Sequence, residues 1–258
     1  MEPVKYNSNV QTNSEIRTLA RNQLTGNWGV PVVTALAYII LTVIIDAIPV
    51  PGTEFEYSSF WGSIYESGTF DGFGGFFEEF SEELSEELNG QSTIKIPLLT
   101  TLLSGALGIG LCVFHITFAR KGEAELPLIF DGFKQFIQSI IAGILMSIIV
   151  TLGLIFFIIP GIILSLGLSQ TYYIMADKPG TKAIDAMKQS WEMTKGYKVQ
   201  LFSMSVSFIP WAFLCIFTCG IGFLWLMPYM YVSFSHFYLQ LVGDNMELGI
   251  EDHLIVGE

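Results

Sequence analysis

Few residues in this sequence are placed to do chemistry, and most of them lie inside apolar stretches. His115 and His236 fall at corresponding places near the ends of two apolar runs, which makes them a candidate functional or metal-binding pair. A metal site would need further donors close by. Cys112, Cys215 and Cys219 do not stand at ligand spacing to either histidine. Thiols in apolar surroundings read as small hydrophobes, so no metal, cofactor or disulfide framework is expected. The polar run Gln170-Thr171-Tyr172-Tyr173 interrupts an apolar block. Its plain reading is hydrogen bonding between packed helices, and its sharper one is the lining of a permeation path or headgroup pocket. Asp177-Lys178-Pro179 reads as a turn, with Asp177 capping it or pairing with Lys178 or Lys182. A lipid-headgroup or partner contact is the sharper reading there. Asp46 closes an apolar run, where an acid can reach water. The sequence holds no HExxH, GxSxG, P-loop or Asp-rich metal motif, so no catalytic residue is assigned and no enzyme is expected.

The elements that must carry these residues follow from composition. Of 258 residues, 51% are hydrophobic and 14% charged, with 25 Gly and 21 Phe; mean hydropathy is +0.53. Soluble domains carry about 25% charged residues. A soluble enzyme or a nucleic-acid-binding domain is excluded, and a polytopic all-α membrane bundle is indicated.

Apolar blocks cover residues 30–48, 97–119, 136–176 and 199–241. A helix rises 1.5 Å per residue and a bilayer core is about 30 Å thick, so the last two blocks are each long enough for two crossings. Pro160-Gly161 and Cys219-Gly220 are the expected reversal points, giving six spans in all; the alternative is a five-span form in which the fourth segment re-enters. With the N-terminus inside, Lys5, Arg17, Arg21, Arg120, Lys121, Lys134, Lys178, Lys182, Lys188, Lys195 and Lys198 are cytoplasmic and only Lys95 is outside. That split satisfies the positive-inside rule. Both termini are therefore expected in the cytoplasm. Residues 1–29 form an amphipathic lead-in, 30–242 the membrane domain and 243–258 a tail.

Three stretches ahead of odd-numbered spans share a Gly followed closely by an aromatic: Gly26-Asn27-Trp28, Gly132-Phe133 and Lys195-Gly196-Tyr197. The pattern predicts three hairpin repeats. Ile16, Leu19, Ala20, Gln23 and Leu24 recur at helical spacing, as do Ala183, Ile184, Met187, Trp191 and Thr194 within 181–195. Both segments are expected to lie in the anionic inner leaflet interface, each followed by a glycine elbow at positive φ.

Residues 49–96 hold ten acids (Glu54, Glu56, Glu66, Asp71, Glu78, Glu79, Glu82, Glu83, Glu86, Glu87) against Lys95, so this outer loop carries −9 of the net −12. Phe73, Phe76, Phe77, Phe80, Leu84 and Leu88 mark one face of a helix, and Glu78, Glu79, Glu82, Glu83, Glu86 and Glu87 the other. A cationic extracellular peptide is the expected partner of that acidic face, with another membrane protein as the alternative.

Other residues resemble a known family. These are Leu24-Thr25-Gly26-Asn27-Trp28-Gly29, Pro160-Gly161-Ile162, Tyr173 through Asp177-Lys178-Pro179, Lys195-Gly196-Tyr197-Lys198, Ser207-Phe208-Ile209-Pro210-Trp211 and Pro228-Tyr229. Together they are similar to the bacterial integral membrane family catalogued as domain of unknown function 975, and the acidic loop lies outside that pattern. The resemblance implies a multi-pass bacterial plasma-membrane protein and implies no activity. A non-enzymatic scaffold or binding protein of the envelope is the leading expectation. A transporter or channel comes next and a lipid-active enzyme last.

Overall fold

A computed structural model of the chain describes residues 10–46, 98–218 and 220–243. The acidic loop with its outer helix, Cys219, the side chain of Asp46 and the C-terminal tail lie outside the described residues. Every described element is helical: α1 (Asn13–Leu24), α2 (Gly29–Asp46), α3 (Leu98–Lys121), a 3-10 segment (Leu126–Gln135), α4 (Phe136–Phe156), α5 (Ile158–Leu168), α6 (Thr171–Asp177), α7 (Ala183–Met193), α8 (Lys198–Val206), α9 (Ile209–Phe217) and α10 (Phe223–Val242).

Four helical stretches are long and apolar enough to cross a bilayer: Leu103–Lys121, Leu126–Ile155, Ile158–Asp177 and Lys198–Cys215. A fifth follows if α1 and α2, bent by 97°, count as one span. α10 has the length but is less apolar, with Ser233, Ser235, His236 and Gln240 among its residues. Its position explains this. α10 packs against α1, α2, α3 and α9 and buries Val232, Phe237, Tyr238 and Leu241 completely. A helix surrounded by protein does not need an apolar face for lipid. α4 does need one: Ile137, Ile144, Ile148, Leu152 and Ile155 stand open on its outer side.

Glycines set the closest approaches. The 3-10 segment crosses α3 so tightly that a Cβ at Gly132 would overlap Ala106 O, and one at Gly110 would overlap Ile129 O. Small residues at such crossings let backbones meet, and dispersion then holds them. Gly132 thus supplies space; its backbone φ is not positive, unlike that of Gly26 (+89°) and Gly196 (+85°). Those two follow α1 and α7 as expected and have open surroundings. The middle glycine of the expected pattern, Gly132, therefore works by a different physical device.

The chain breaks at Phe157, an extended residue between α4 and α5, three positions before the expected reversal. Pro160 sits in the first turn of α5, where its missing N–H costs nothing. Gly161 packs against Leu154 and Gly153 of α4. The break near Gly220 falls where expected, with φ of +83°.

α1 opens on a capping box: Glu15 N–H donates to Thr12 Oγ1 (3.4 Å), and Thr12 N–H donates to the Glu15 carboxylate (2.8 Å). The Thr12 N–H, and after it the Thr12 hydroxyl that donates to the same carboxylate at 2.9 Å, hold the Glu15 carboxyl below its ordinary value. Ile16, Ala20 and Leu24 are fully buried, the last two against Phe114, Phe118 and Val232. α7 likewise buries Ala183, Ala186, Met187, Ser190 and Met193. Both amphipathic helices thus spend their main apolar faces on protein, and only Ile184 of the expected α7 stripe stands largely exposed (53%).

Candidate functional site

The polar side chains that bond from one element to another gather where α1, α7, the starts of α4 and α8, and the ends of α3, α6 and α10 meet. At the centre is Asp177, the last residue of α6 and only 8% exposed. One carboxylate oxygen pairs with Arg120 Nη1 of α3 at 2.6 Å, and the other accepts from Tyr238 Oη of α10 at 2.9 Å. Tyr173, one turn before Asp177, stacks on Tyr238 with ring centroids 5.8 Å apart. Three helices are therefore joined through one carboxylate. Asp177 does pair with a base, but with Arg120 rather than Lys178 or Lys182. Those two lie on the chain beside it, whereas Arg120 arrives from another helix.

The turn after Asp177 is held from outside itself. Gln135 Nε2 donates to Met175 O (2.8 Å), and Gln135 Oε1 accepts from Gly180 N–H (3.1 Å), just past Pro179. Gln138 Oε1 accepts from Ala183 N–H (3.0 Å) at the start of α7. A carboxamide that donates and accepts can bridge two backbone groups that no helix satisfies. Sequence reasoning passed over Gln135 and Gln138. Their one visible signal was two amides three residues apart where an apolar helix begins.

Gln23 performs the same service on the other side. Its Nε2 donates to Phe118 O (2.6 Å) and Ala119 O (3.0 Å) at the end of α3, and its Oε1 accepts from His236 Nε2 (2.7 Å). His115 has different partners. Its Nδ1 donates to Leu111 O (2.8 Å) and its ring stacks on Tyr231 at 4.8 Å. The two histidines thus serve separate junctions. Among the described residues no group of three or more His, Cys, Asp or Glu is arranged to hold a metal ion.

The Gln170–Tyr173 run marks a break between α5 and α6. Gln170 N–H donates to Ser190 Oγ of α7 (3.2 Å), while that hydroxyl donates to Gly167 O (2.7 Å). Thr194 Oγ1 lies 3.3 Å from the same carbonyl. α7 is thereby pinned across the end of α5. Gly167 permits it, because a Cβ there would strike the Trp191 ring. Lys198 Nζ sits 3.1 Å above the centre of that ring, an arrangement favoured by the ring's negative face. Gln170 Oε1 and His115 Nε2 are buried and have no partner among the described residues.

The remaining motif residues pack elsewhere in the bundle or stand at its surface. Trp28 packs on the Phe114–Phe118–Val232 cluster, and Tyr197 on the main core. Pro228 is buried within α10, and Tyr229 meets Phe208 edge to face at 5.5 Å. Phe133 is exposed and stacks between Phe130 and Phe136. Lys195 is exposed. A cavity of about 700 Å³ opens beside Gly26, lined by Asn27, Thr117, Lys121, Glu123 and Glu125 among others.

The family model described as "Protein of unknown function (DUF975)" matches residues 10–166 and again 149–245. Comparison with curated proteins and with solved structures finds no match.

Proposed function

This chain belongs to the DUF975 family, and from that premise we propose that it is a non-enzymatic scaffold or binding protein of the bacterial plasma membrane. One observation carries the reading. The polar side chains that a permeation path would require are engaged in bonds between helices: Asp177 with Arg120 and Tyr238, Gln135 with Met175 O and Gly180 N–H, and Gln23 with α3 and His236. Such bonds brace a bundle without opening it. Extraction into native nanodiscs tests this. A protein co-purifying in fixed proportion to the chain is the expected result; solute flux through proteoliposomes that is lost in Gln170→Leu would overturn it. Transport is the second reading, supported by the unpartnered Gln170 Oε1 and His115 Nε2, since buried polar atoms in a span mark pathways when they line them.

The bundle crosses six times, with three hairpins and both termini in the cytoplasm. The braced end is then the inner one, with Arg17, Arg21, Lys121, Lys134 and Lys178 around it. A cysteine at Gln189 should be labelled only from inside, and one at Glu66 only from outside. Labelling of position 189 from outside would reverse the topology.

The outer loop is a docking surface for a cationic peptide, because its −9 charge concentrates basic partners until salt screens it. Deleting residues 72–90 should abolish low-salt binding of a polylysine peptide while protein level and insertion stay constant. Unchanged binding would leave the loop a mere cover.

A further inference from the structure

We infer that α7 and the α4–α5 hairpin form a binding site for one anionic phospholipid, with an acyl chain in the groove between them and the phosphate at Lys188. The groove holds about 500 Å³, within the range of ligand sites. Its floor is Leu145 and Ile149 of α4 with Leu164 of α5, and Met187 of α7 closes one wall. An apolar hollow of this size on a membrane-facing hairpin fills with hydrocarbon, because an empty groove forfeits the packing contacts that an acyl chain supplies.

The rim has the opposite chemistry. Lys188, Trp191 and Glu192 line it, and the Lys198 ammonium rests on the Trp191 ring. Neither lysine forms an ion pair among the described residues. From 182 to 198 the segment carries Lys182, Lys188, Lys195 and Lys198 against Asp185 and Glu192, a net +2. A tryptophan beside lysines at the mouth of an apolar groove is the arrangement of a headgroup-level anchor. Ile184 also lines the groove and is exposed, which extends the apolar wall toward the membrane. The combination of apolar floor and cationic rim selects an anionic lipid over a zwitterionic one and over a free phosphate.

This site goes beyond the scaffold reading and does not depend on it; it needs only α4 and α5 to lie in a membrane. The test is native mass spectrometry of the full chain, released from mixed phosphatidylglycerol and phosphatidylcholine nanodiscs with matched acyl chains. One phosphatidylglycerol should be retained in preference to phosphatidylcholine, and glycerophosphoglycerol, the headgroup alone, should not displace it. Lys188→Gln should weaken retention about fivefold, the factor corresponding to about 1 kcal/mol per basic residue at an anionic surface, and Lys188→Arg should restore it. Leu164→Trp, which fills the groove, should abolish it. Quenching by brominated-chain phosphatidylglycerol, compared between wild type and Trp191→Phe, serves as a check that leaves the groove floor unaltered. Equal retention of phosphatidylcholine, displacement by the headgroup alone, or no Trp191 share in the quenching would each overturn the assignment.

Discussion

Gly132→Asn is expected to remove most of the folded protein from the membrane, whereas Gly26→Asn and Gly196→Asn leave it nearly unchanged. The three glycines stand at similar places in the sequence but meet different demands. At Gly26 and Gly196 the backbone lies at φ of +89° and +85° with nothing within 4 Å of a new Cβ. Only conformation is at issue there. Alanine costs about 1–2 kcal/mol in that region, and asparagine less, because its short polar side chain visits left-handed geometry. At Gly132 a Cβ would overlap the backbone of Ala106, which belongs to a buried helix and cannot rotate away. Overpacking costs about 1–3 kcal/mol where side chains can shift, so collision with backbone belongs at or above the top of that range. Gly110→Ala should behave like Gly132→Ala, since its Cβ would overlap Ile129 O. Thermal unfolding in detergent, with membrane levels alongside, reads out the pattern. Equal sensitivity of positions 26 and 132 to asparagine would refute the division into conformational and steric glycines.

The second large effect is expected at Asp177. Replacing it with alanine removes one carboxylate from both Arg120 and Tyr238 and loosens the junction of α3, α6 and α10. Breaking a fully buried pair from one side costs about 3–5 kcal/mol. The Arg120 side chain is one-third exposed, so water and salt screen part of the interaction, and about 1–3 kcal/mol is the appropriate scale. Arg120→Ala should cost less than Asp177→Ala, because Asp177 keeps the Tyr238 hydroxyl. Asp177→Asn should fall between them, retaining an acceptor for Tyr238 while losing the charge. A double-mutant cycle on Arg120 and Asp177 should return a coupling of about 1–2 kcal/mol. A coupling near zero would mean that the ion pair contributes nothing and that the hydroxyl alone positions Asp177.

Some of the functional end could be read in the sequence. The buried Ile16, Ala20 and Leu24 follow from helical spacing alone, as do Ala183 and Met187 of α7. Positive φ at Gly26 and Gly196 follows from a glycine closing an amphipathic helix, which is local chemistry. The Asp177 turn was visible because Pro179 restricts the residue before it. Its partner was not visible, because Arg120 is 57 positions away and no spacing rule connects them. The bridging roles of Gln135, Gln138 and Gln23 were not visible for the same reason: an amide acquires such a role only when the groups it bonds arrive from elsewhere.

By itself, then, the sequence determined the class of the molecule, its apolar helices and the side of each amphipathic helix that would be buried. These depend on composition and on periodicities of a few residues. Tertiary structure decided what those faces were buried against. α1 lays its main apolar face on α10 and α3, and α7 on α6 and the α4–α5 hairpin, since packed protein and lipid reward the same apolar pattern and the sequence cannot tell them apart. It also decided that Gly132 makes room for another helix instead of bending its own. A missing side chain looks the same in sequence whether the backbone needs the freedom or a neighbour needs the space.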